Sequence, residues 1–265
     1  MKGSGTLLTV IATLIVLVVL SPIAVLSILA SSKDHFMAFP PTGYSLRSFP
    51  ELPANDPLLT SVWLSLKIAP LVTVLSLLIG TSAALVLEKL NFLGRDALLT
   101  LFLAPLLLPA LVLGLALLNL LTSVRLSGTI PALVLGHLIV TVPFVIRQMN
   151  SAFSALPKEV EVAAATLGAK PSRVIFRITL PLVMPSLIAS AALSFLLCFD
   201  KAAISLFLVR AQVTALPVEM MNSGHGRTDP FIAALSPLVI VGTLSIVLLI
   251  ERLVGLARAV GHRGT

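Results

Sequence analysis

Charged residues are scarce in this sequence of 265 residues. Asp, Glu, Lys and Arg together make up 11%, whereas hydrophobic residues make up 57%, and the mean hydropathy is +1.09. A soluble domain carries roughly 25% charged residues, so the composition excludes a soluble globular protein and predicts an integral membrane protein. The net charge of +7 would indicate nucleic acid as a partner of a soluble chain. Here the basic residues flank the apolar segments, and we expect membrane lipid and no nucleic acid as a partner.

Cysteine is nearly absent too, because Cys198 is the only one in the sequence. A single cysteine excludes an intramolecular disulfide and any metal site built from several cysteines, and we expect Cys198 to be a small buried hydrophobe. None of the four histidines has a second ligand at metal-binding spacing, so we predict no metal site. The chain also lacks the Gly-x-x-x-x-Gly-Lys-Ser/Thr phosphate loop, His-Glu-x-x-His and Gly-x-Ser-x-Gly. We therefore expect no catalytic residues and no cofactor in this chain.

Long apolar runs are what the sequence does contain. A spanning helix needs about 20 apolar residues, and six segments reach or approach that length: 7–30, 59–87, 97–121, 130–146, 181–209 and 230–254. The first exceeds the apolar core of a signal peptide, which is about 7–15 residues long, so we expect it to be retained. The prediction is an all-α membrane protein with six transmembrane helices. Its parts are residues 1–58 with the first span and an outer loop, a five-helix core at 59–254, and a tail at 255–265.

Lys and Arg are distributed unevenly between the two sides of these spans. With the N-terminus inside, the inner segments hold 11 of them and the outer segments hold 5. Because basic residues are enriched in cytoplasmic loops, both termini are predicted to be cytoplasmic. The same side holds a long polar loop at about 147–180. Its basic residues are Arg147, Lys158, Lys170, Arg173 and Arg177.

The long inner loop has the sequence of two short helices outside the membrane. Pro157 suits a first helical turn, and the alanines at 163–165 are strong helix formers. Gly168 lies where a left-handed residue ends a helix, and Pro171 begins the next one. An Ala-rich helix that ends in Gly lets another surface approach its backbone closely. The loop is therefore predicted to be a docking element.

This loop resembles the cytoplasmic EAA loop in the permease subunits of binding-protein-dependent ABC importers. The family pattern is Glu-Ala-Ala, three residues, Gly, nine residues, Ile, one residue and Leu-Pro. With this spacing intact, the matching residues are Ala163, Ala164, Gly168, Ile178, Leu180 and Pro181. The first position differs, because Val162 stands where the family has Glu. Glu161 lies one residue earlier, about 100° around the helix axis.

The resemblance implies the type-1 ABC importer permease fold and a permease subunit of the bacterial inner membrane that forms half of a translocation path. It implies three partners: a second permease subunit, identical or different; a cytoplasmic ATPase dimer that binds the ATP; and a periplasmic substrate-binding protein. Glu161 and the six matching residues would then couple the chain to the ATPase, with residues 161–168 moving as a rigid lever. We call residues 147–180 the coupling loop. The alternative, a transporter or channel that works alone, leaves the spacing of this loop unexplained.

Two adjacent charges in the fifth span are candidates for the translocation path. Asp200 and Lys201 are predicted to lie about 14 Å inside the outer interface. Neighbouring helix residues do not face each other, so one of the two needs a partner on another helix, on the second subunit or in a water-filled cavity. Asp200 facing the path and Asp200 as a buried carboxylate at a subunit interface are equal alternatives.

The region around these charges resembles the fifth helix of spermidine/putrescine-type permeases. Phe199-Asp200 is followed by the Leu-Phe-Leu run at 206–208, and the resemblance implies a polyamine-like solute and a place for Phe199 beside the path. Lys201 differs from that branch, which tends to have an acidic residue there. A positive charge at this point disfavours a polycation, so the substrate stays open.

Several helix-disturbing residues lie within the predicted spans. The prolines are Pro70, Pro105, Pro109, Pro143, Pro185 and Pro237. We expect them to kink the helices, with the freed carbonyls satisfied by neighbours or water. His137 in the fourth span is expected to pack with a hydrogen bond to a neighbouring carbonyl.

Overall fold

The computed structural model describes residues 3–33, 40–46, 50 and 56–208, and beyond them residues 216, 218, 235–242, 244, 245 and 252. Within these residues the chain is helical, with no strand, and a single bridge pairs Ser32 with Tyr44. The helices are α1 (Gly3–Ala30), α2 (Asp56–Lys89), α3 (Arg95–Leu107), α4 (Ala110–Ser123), α5 (Ile130–Ser154), α6 (Lys158–Thr166), α7 (Pro171–Val174), α8 (Leu180–Asp200) and α9 (Ala202–Leu208), with a π-helical turn at Ile175–Thr179. The predicted all-α class is confirmed.

Most of the predicted spans correspond to long apolar helices. In the described part of the chain, four helical stretches could cross a membrane: Thr9–Ala30, Leu59–Lys89, Ile130–Ser154 and Pro171–Phe199. The pair α3 and α4 forms a fifth candidate. The sixth predicted span, 230–254, and the tail at 255–265 lie mostly or wholly outside the described residues, although residues 235–242 are helical.

The third predicted span, 97–121, is broken, so the prediction of one continuous helix was wrong. α3 and α4 meet at an angle of 104°. Leu108 between them is extended, with φ −83° and ψ 139°, and Pro109 precedes α4. The ring of a proline pushes the residue before it out of the helical region. Pro109 therefore ends a helix, whereas Pro105 lies inside α3.

The fifth predicted span, 181–209, differs at both ends. Its helix begins at Pro171 and runs through the π turn, in which the Leu180 N–H bonds to the Ile175 carbonyl. Pro181 cannot donate to the carbonyl of Arg177 and its ring crowds that carbonyl, which the wider π turn relieves. At the other end Lys201, with φ −79° and ψ 53°, separates α8 from α9. The second half of the coupling loop and the fifth span are thus one continuous rod.

The chain divides into two compact units, and the first comprises residues 1–60 and 219–245. In it α1 exposes its apolar side chains from Val10 to Leu20, as expected of a helix that faces lipid. After α1 the chain folds back on itself. The Lys33 N–H bonds to the Gly43 carbonyl at 2.9 Å, and the Ser45 N–H bonds to the Ser31 carbonyl at 2.8 Å.

The second unit, residues 61–218 and 246–265, holds the main core. Buried residues from α2, α4, α5, α8 and α9 form one cluster, which includes Val72, Leu117, Leu133, Cys198 and Ile204. Cys198 is buried and free, as predicted. A smaller cluster of α2, α5 and α8 residues lies nearer the coupling loop: Ala84, Val145, Met149, Phe153 and Val183.

Close approach of α2 and α5 depends on a glycine. A Cβ at Gly80 would lie 2.7 Å from the Val145 Cβ and 3.2 Å from the Val142 carbonyl oxygen. Small residues at such points let membrane helices come close enough to pack. Pro70, Pro143 and Pro185 lie inside α2, α5 and α8 without ending them.

Candidate functional site: the coupling loop

α6 begins and ends with the residues that the sequence predicted. Pro157 is its N-cap, and Glu159 and Glu161 lie in its first turn, where the helix dipole favours negative charge. At the other end the Ala169 N–H bonds to the Ala164 carbonyl (3.1 Å) and the Gly168 N–H bonds to the Ala165 carbonyl (2.9 Å). This is a Schellman cap, which places its glycine in the left-handed region. Gly168 has φ +81°, which confirms that prediction.

Large apolar side chains of the coupling loop are exposed. Val162 is 61% exposed, Leu167 88% and Phe176 71%. Ala163 and Gly168 are exposed beside them, and nothing lies within 4 Å of the position that a Gly168 Cβ would occupy. We call these five residues the docking face. Exposed apolar surface is typical of a site that binds another protein or a membrane.

The other residues of the matched pattern lie closer to the bundle. Ala164, Ile178 and Leu180 are half-buried, and Pro181 is exposed at the start of α8. Arg173 and Arg177 are exposed between Gly168 and Pro181. The pattern thus extends from an exposed helix to the foot of a membrane span.

Glu161 does not point outward with the docking face. The Thr179 hydroxyl donates to its Oε1 at 2.6 Å, and the Lys89 ammonium pairs with its Oε2. Burial by itself raises the pKa of this carboxyl, but the hydrogen bonds from Lys89 and Thr179 and the positive charge of Lys89 outweigh it and hold the pKa below its ordinary value. The carboxylate stays ionised at neutral pH, joined to the end of α2 and the foot of α8.

A second carboxylate, next to Lys89, extends these contacts. The Ser154 hydroxyl donates to Glu88 Oε2 at 2.8 Å, and Arg95 Nη2 lies 3.4 Å from the same oxygen. Arg95 Nε also donates to the Leu87 carbonyl. Side chains therefore link the end of α2, the start of α3, the end of α5, the π turn and the first turn of α6, and we call these side chains the polar hub.

Most of the polar hub is not evident from the amino-acid sequence. In the sequence, Lys89 and Arg95 are two of the 11 basic residues that predict the orientation in the membrane. No motif distinguishes Glu88, Ser154 or Thr179 from other polar residues. The available signal was a Glu-Lys pair at the end of an apolar span. Such a pair is also typical of an ordinary solvated helix end, so only the fold identifies its partners.

A cavity of about 260 Å³ lies against the polar hub. It runs between the end of α2, the end of α5 and α6. Its lining residues are Glu88, Lys89, Asn91, Phe153, Leu156, Lys158, Glu161, Val162 and Thr179. Because Val162 belongs to the docking face, the cavity connects that face with the hub.

The candidates for the translocation path lie near the break between α8 and α9. Phe199 is half-buried, packs against the main core and lies 5.1 Å from Phe195 between ring centroids. Lys201 is half-buried at the break. The side chain of Asp200 lies outside the described part of the structure. His137 bonds through Nδ1 to the Leu133 carbonyl at 2.8 Å, as predicted, and its Nε2 lies 3.4 Å from the Ser205 hydroxyl.

Comparison with known proteins gives a family match, two similar permeases and one similar fold. Residues 76–263 match the family described as the binding-protein-dependent transport system inner membrane component. The chain is 33% identical to the putrescine transport system permease protein PotI of Escherichia coli (strain K12), over 77% of this chain and 75% of PotI. It is 32% identical to the molybdenum transport system permease protein ModB of Mycobacterium tuberculosis (strain ATCC 25618 / H37Rv), over 70% of this chain and 76% of ModB. Its fold is similar to that of a chain from a bacterial ABC transporter involved in the import of alginate, with a TM-score of 0.70 and 14% sequence identity. The match covers 95% of this chain and 96% of the transporter chain.

Proposed function

This chain belongs to the inner-membrane components of binding-protein-dependent transport systems, and from this premise we propose that it forms half of the translocation path of an ATP-driven importer. A second permease subunit, identical or different, supplies the other half. Two copies of an ATPase bind ATP on the cytoplasmic side, and a periplasmic binding protein delivers the solute. The similar fold of the alginate transporter, whose structure has also been solved with a periplasmic protein, supports these partners.

The observation that carries this proposal is the docking face. Val162, Leu167 and Phe176 are large apolar side chains exposed in the coupling loop. A partner that covers them removes this apolar surface from water. Ala163 and Gly168 let that partner approach the backbone of α6. We assign this surface to the ATPase, and the predicted orientation, with both termini cytoplasmic, puts it on the side where ATP is available.

Transmission from the docking face to the path follows from the continuous rod. Pro171 to Asp200 is helical throughout, across the π turn. A displacement of α6 by the closing ATPases therefore tilts the rod, and α8 carries that tilt to the break at Lys201. Rigid helices that pivot at breaks are a common means of domain movement.

The solute that we propose is small and polyamine-like. The likeness to the putrescine permease PotI and the Phe199-Asp200 pattern support it. The similar identity to ModB, a molybdenum permease, and the positive Lys201 support an oxyanion as the competing substrate. The two candidates carry opposite charge, so one experiment separates them.

That experiment reconstitutes this chain in liposomes with the second permease subunit, the ATPase and the binding protein encoded with it. We expect uptake of labelled putrescine that requires ATP, and ATP hydrolysis stimulated several-fold by putrescine with the binding protein present. Molybdate in the same vesicles is the matched comparison. Stimulation by molybdate alone would overturn the polyamine proposal and keep the importer, whereas uptake by this chain alone, without ATP, would overturn the importer itself.

A further inference from the structure

We propose that Glu161 is a positioning residue that ties the coupling helix α6 to two membrane spans from inside the chain, and that it does not meet the ATPase as a docking charge. This inference rests on the importer proposed above. It concerns how a movement at the docking face reaches the bundle.

The first argument is the direction of the carboxylate. Oε1 accepts from Thr179 at 2.6 Å, and Oε2 pairs with Lys89. Thr179 is 1% exposed, and the side chain of Glu161 is only 24% exposed. Both oxygens of the carboxylate are thus directed into the chain.

The second argument is the one-residue shift along α6. Val162 occupies the pattern position at which the family has Glu, and it is 61% exposed. One residue earlier, about 100° around the axis, the side chain of Glu161 is only 24% exposed and is bonded to Lys89 and Thr179. The outward position is therefore apolar, and the negative charge has moved to the inner side of the same helix.

The third argument is where the two partners lie. Lys89 is the last residue of α2, and Thr179 is the last residue of the π turn that leads into α8. Next to Lys89, Glu88 is bonded to Ser154 at the end of α5 and lies close to Arg95 at the start of α3. A displacement of Glu161 therefore moves the inner end of α2 and the start of α8 together. Through Glu88 the displacement also reaches the end of α5 and the start of α3.

The test measures the coupling ratio, solute taken up per ATP hydrolysed, in the reconstituted complex with putrescine, or with molybdate if that is the solute it carries. Glu161→Lys and Lys89→Glu each put like charges together, so we expect each to lower the ratio about fivefold or more, as close charge pairs are strongly coupled. The exchanged pair, Glu161→Lys with Lys89→Glu, restores opposite charges and should recover most of the ratio. Thr179→Ser keeps the hydroxyl that donates to Glu161, whereas Thr179→Val removes it. We therefore expect a higher coupling ratio for Thr179→Ser than for Thr179→Val.

Copurification of the ATPase separates positioning from docking. If Glu161 acts inside the chain, the ATPase copurifies with Glu161→Lys as it does with the native chain. Loss of copurification in that variant, or failure of the exchanged pair to recover the ratio, would overturn the proposal. Glu159 is an exposed carboxylate in the same helical turn, so Glu159→Gln is the matched control for Glu161→Gln. If these two variants lowered the coupling ratio equally, the proposal would also be overturned. Failure of the importer proposal looks different, because the native complex then shows no ATP-dependent uptake.

Discussion

At the scale of single residues, the coupling loop depends on where individual side chains point on α6. Val162 and Glu161 are adjacent, yet one is exposed on the docking face and the other is bonded to Lys89 and Thr179. The helical rotation of about 100° per residue separates a surface for a partner from a bond within the chain. Gly168 then ends the helix so that the rod from Pro171 can begin.

Gly168→Val should abolish coupled uptake while the chain still inserts. At φ +81° a β-branched side chain is strained by about 1–2 kcal/mol, which shifts the Schellman cap, and its bulk also fills open space on the docking face. Gly168→Asn is the control, because Asn tolerates the left-handed region. We expect ATP-dependent uptake to be lost in the Val variant and largely kept in the Asn variant. Equal uptake by both would show that the cap conformation does not matter.

At the scale of elements, breaks and close approaches shape the bundle more than helix lengths do. The extended Leu108 before Pro109 separates α3 from α4, and the π turn lets α7 run on into α8. Lys201 follows the last residue of that rod. Each break lies at a proline or beside a charge in an otherwise apolar segment.

Gly80→Ala should destabilise the packing of α2 on α5. The added Cβ would lie 2.7 Å from the Val145 Cβ, and overpacking of this kind costs about 1–3 kcal/mol. Gly242→Ala is the matched control, since none of the described residues lies within 4 Å of its Cβ position and Ala favours a helix. Thermal unfolding of the purified proteins in detergent should show a lower midpoint for the first variant only. An unchanged midpoint for Gly80→Ala would mean that the two helices are farther apart.

At the scale of the whole molecule, the side of the membrane on which the coupling loop lies decides the function. The excess of Lys and Arg in the inner segments predicts that this loop and both termini lie on the cytoplasmic side. The loop between α4 and α5, which contains Val124 and Arg125, is then on the other. The ATPase that we propose as partner of the docking face requires this orientation.

Single cysteines in a Cys198→Ala background test that orientation. Val162→Cys should react with a membrane-impermeant maleimide only in inside-out vesicles, and Val124→Cys only from the outside of intact cells. Both native side chains are exposed, so access is decided by the membrane. Added ATPase should protect Val162→Cys, while Leu93→Cys, an exposed site outside the docking face, keeps reacting. Labelling of Val162→Cys from outside the cell would reverse the topology.

The sequence by itself determined the class of this protein, because apolar runs of about 20 residues are typical of helices that span a bilayer. The charges on the connecting loops predict the orientation of these helices. It also determined the coupling helix: Pro157, the alanines and Gly168 act locally through helix propensity and capping, which need no distant contact. Only the tertiary structure decided that Pro109 breaks a span while Pro105 does not, since a local preference can be overridden by packing. It alone decided that Glu161 meets Lys89 and Thr179, which lie 72 and 18 residues away in the chain, because such contacts arise from how the spans pack.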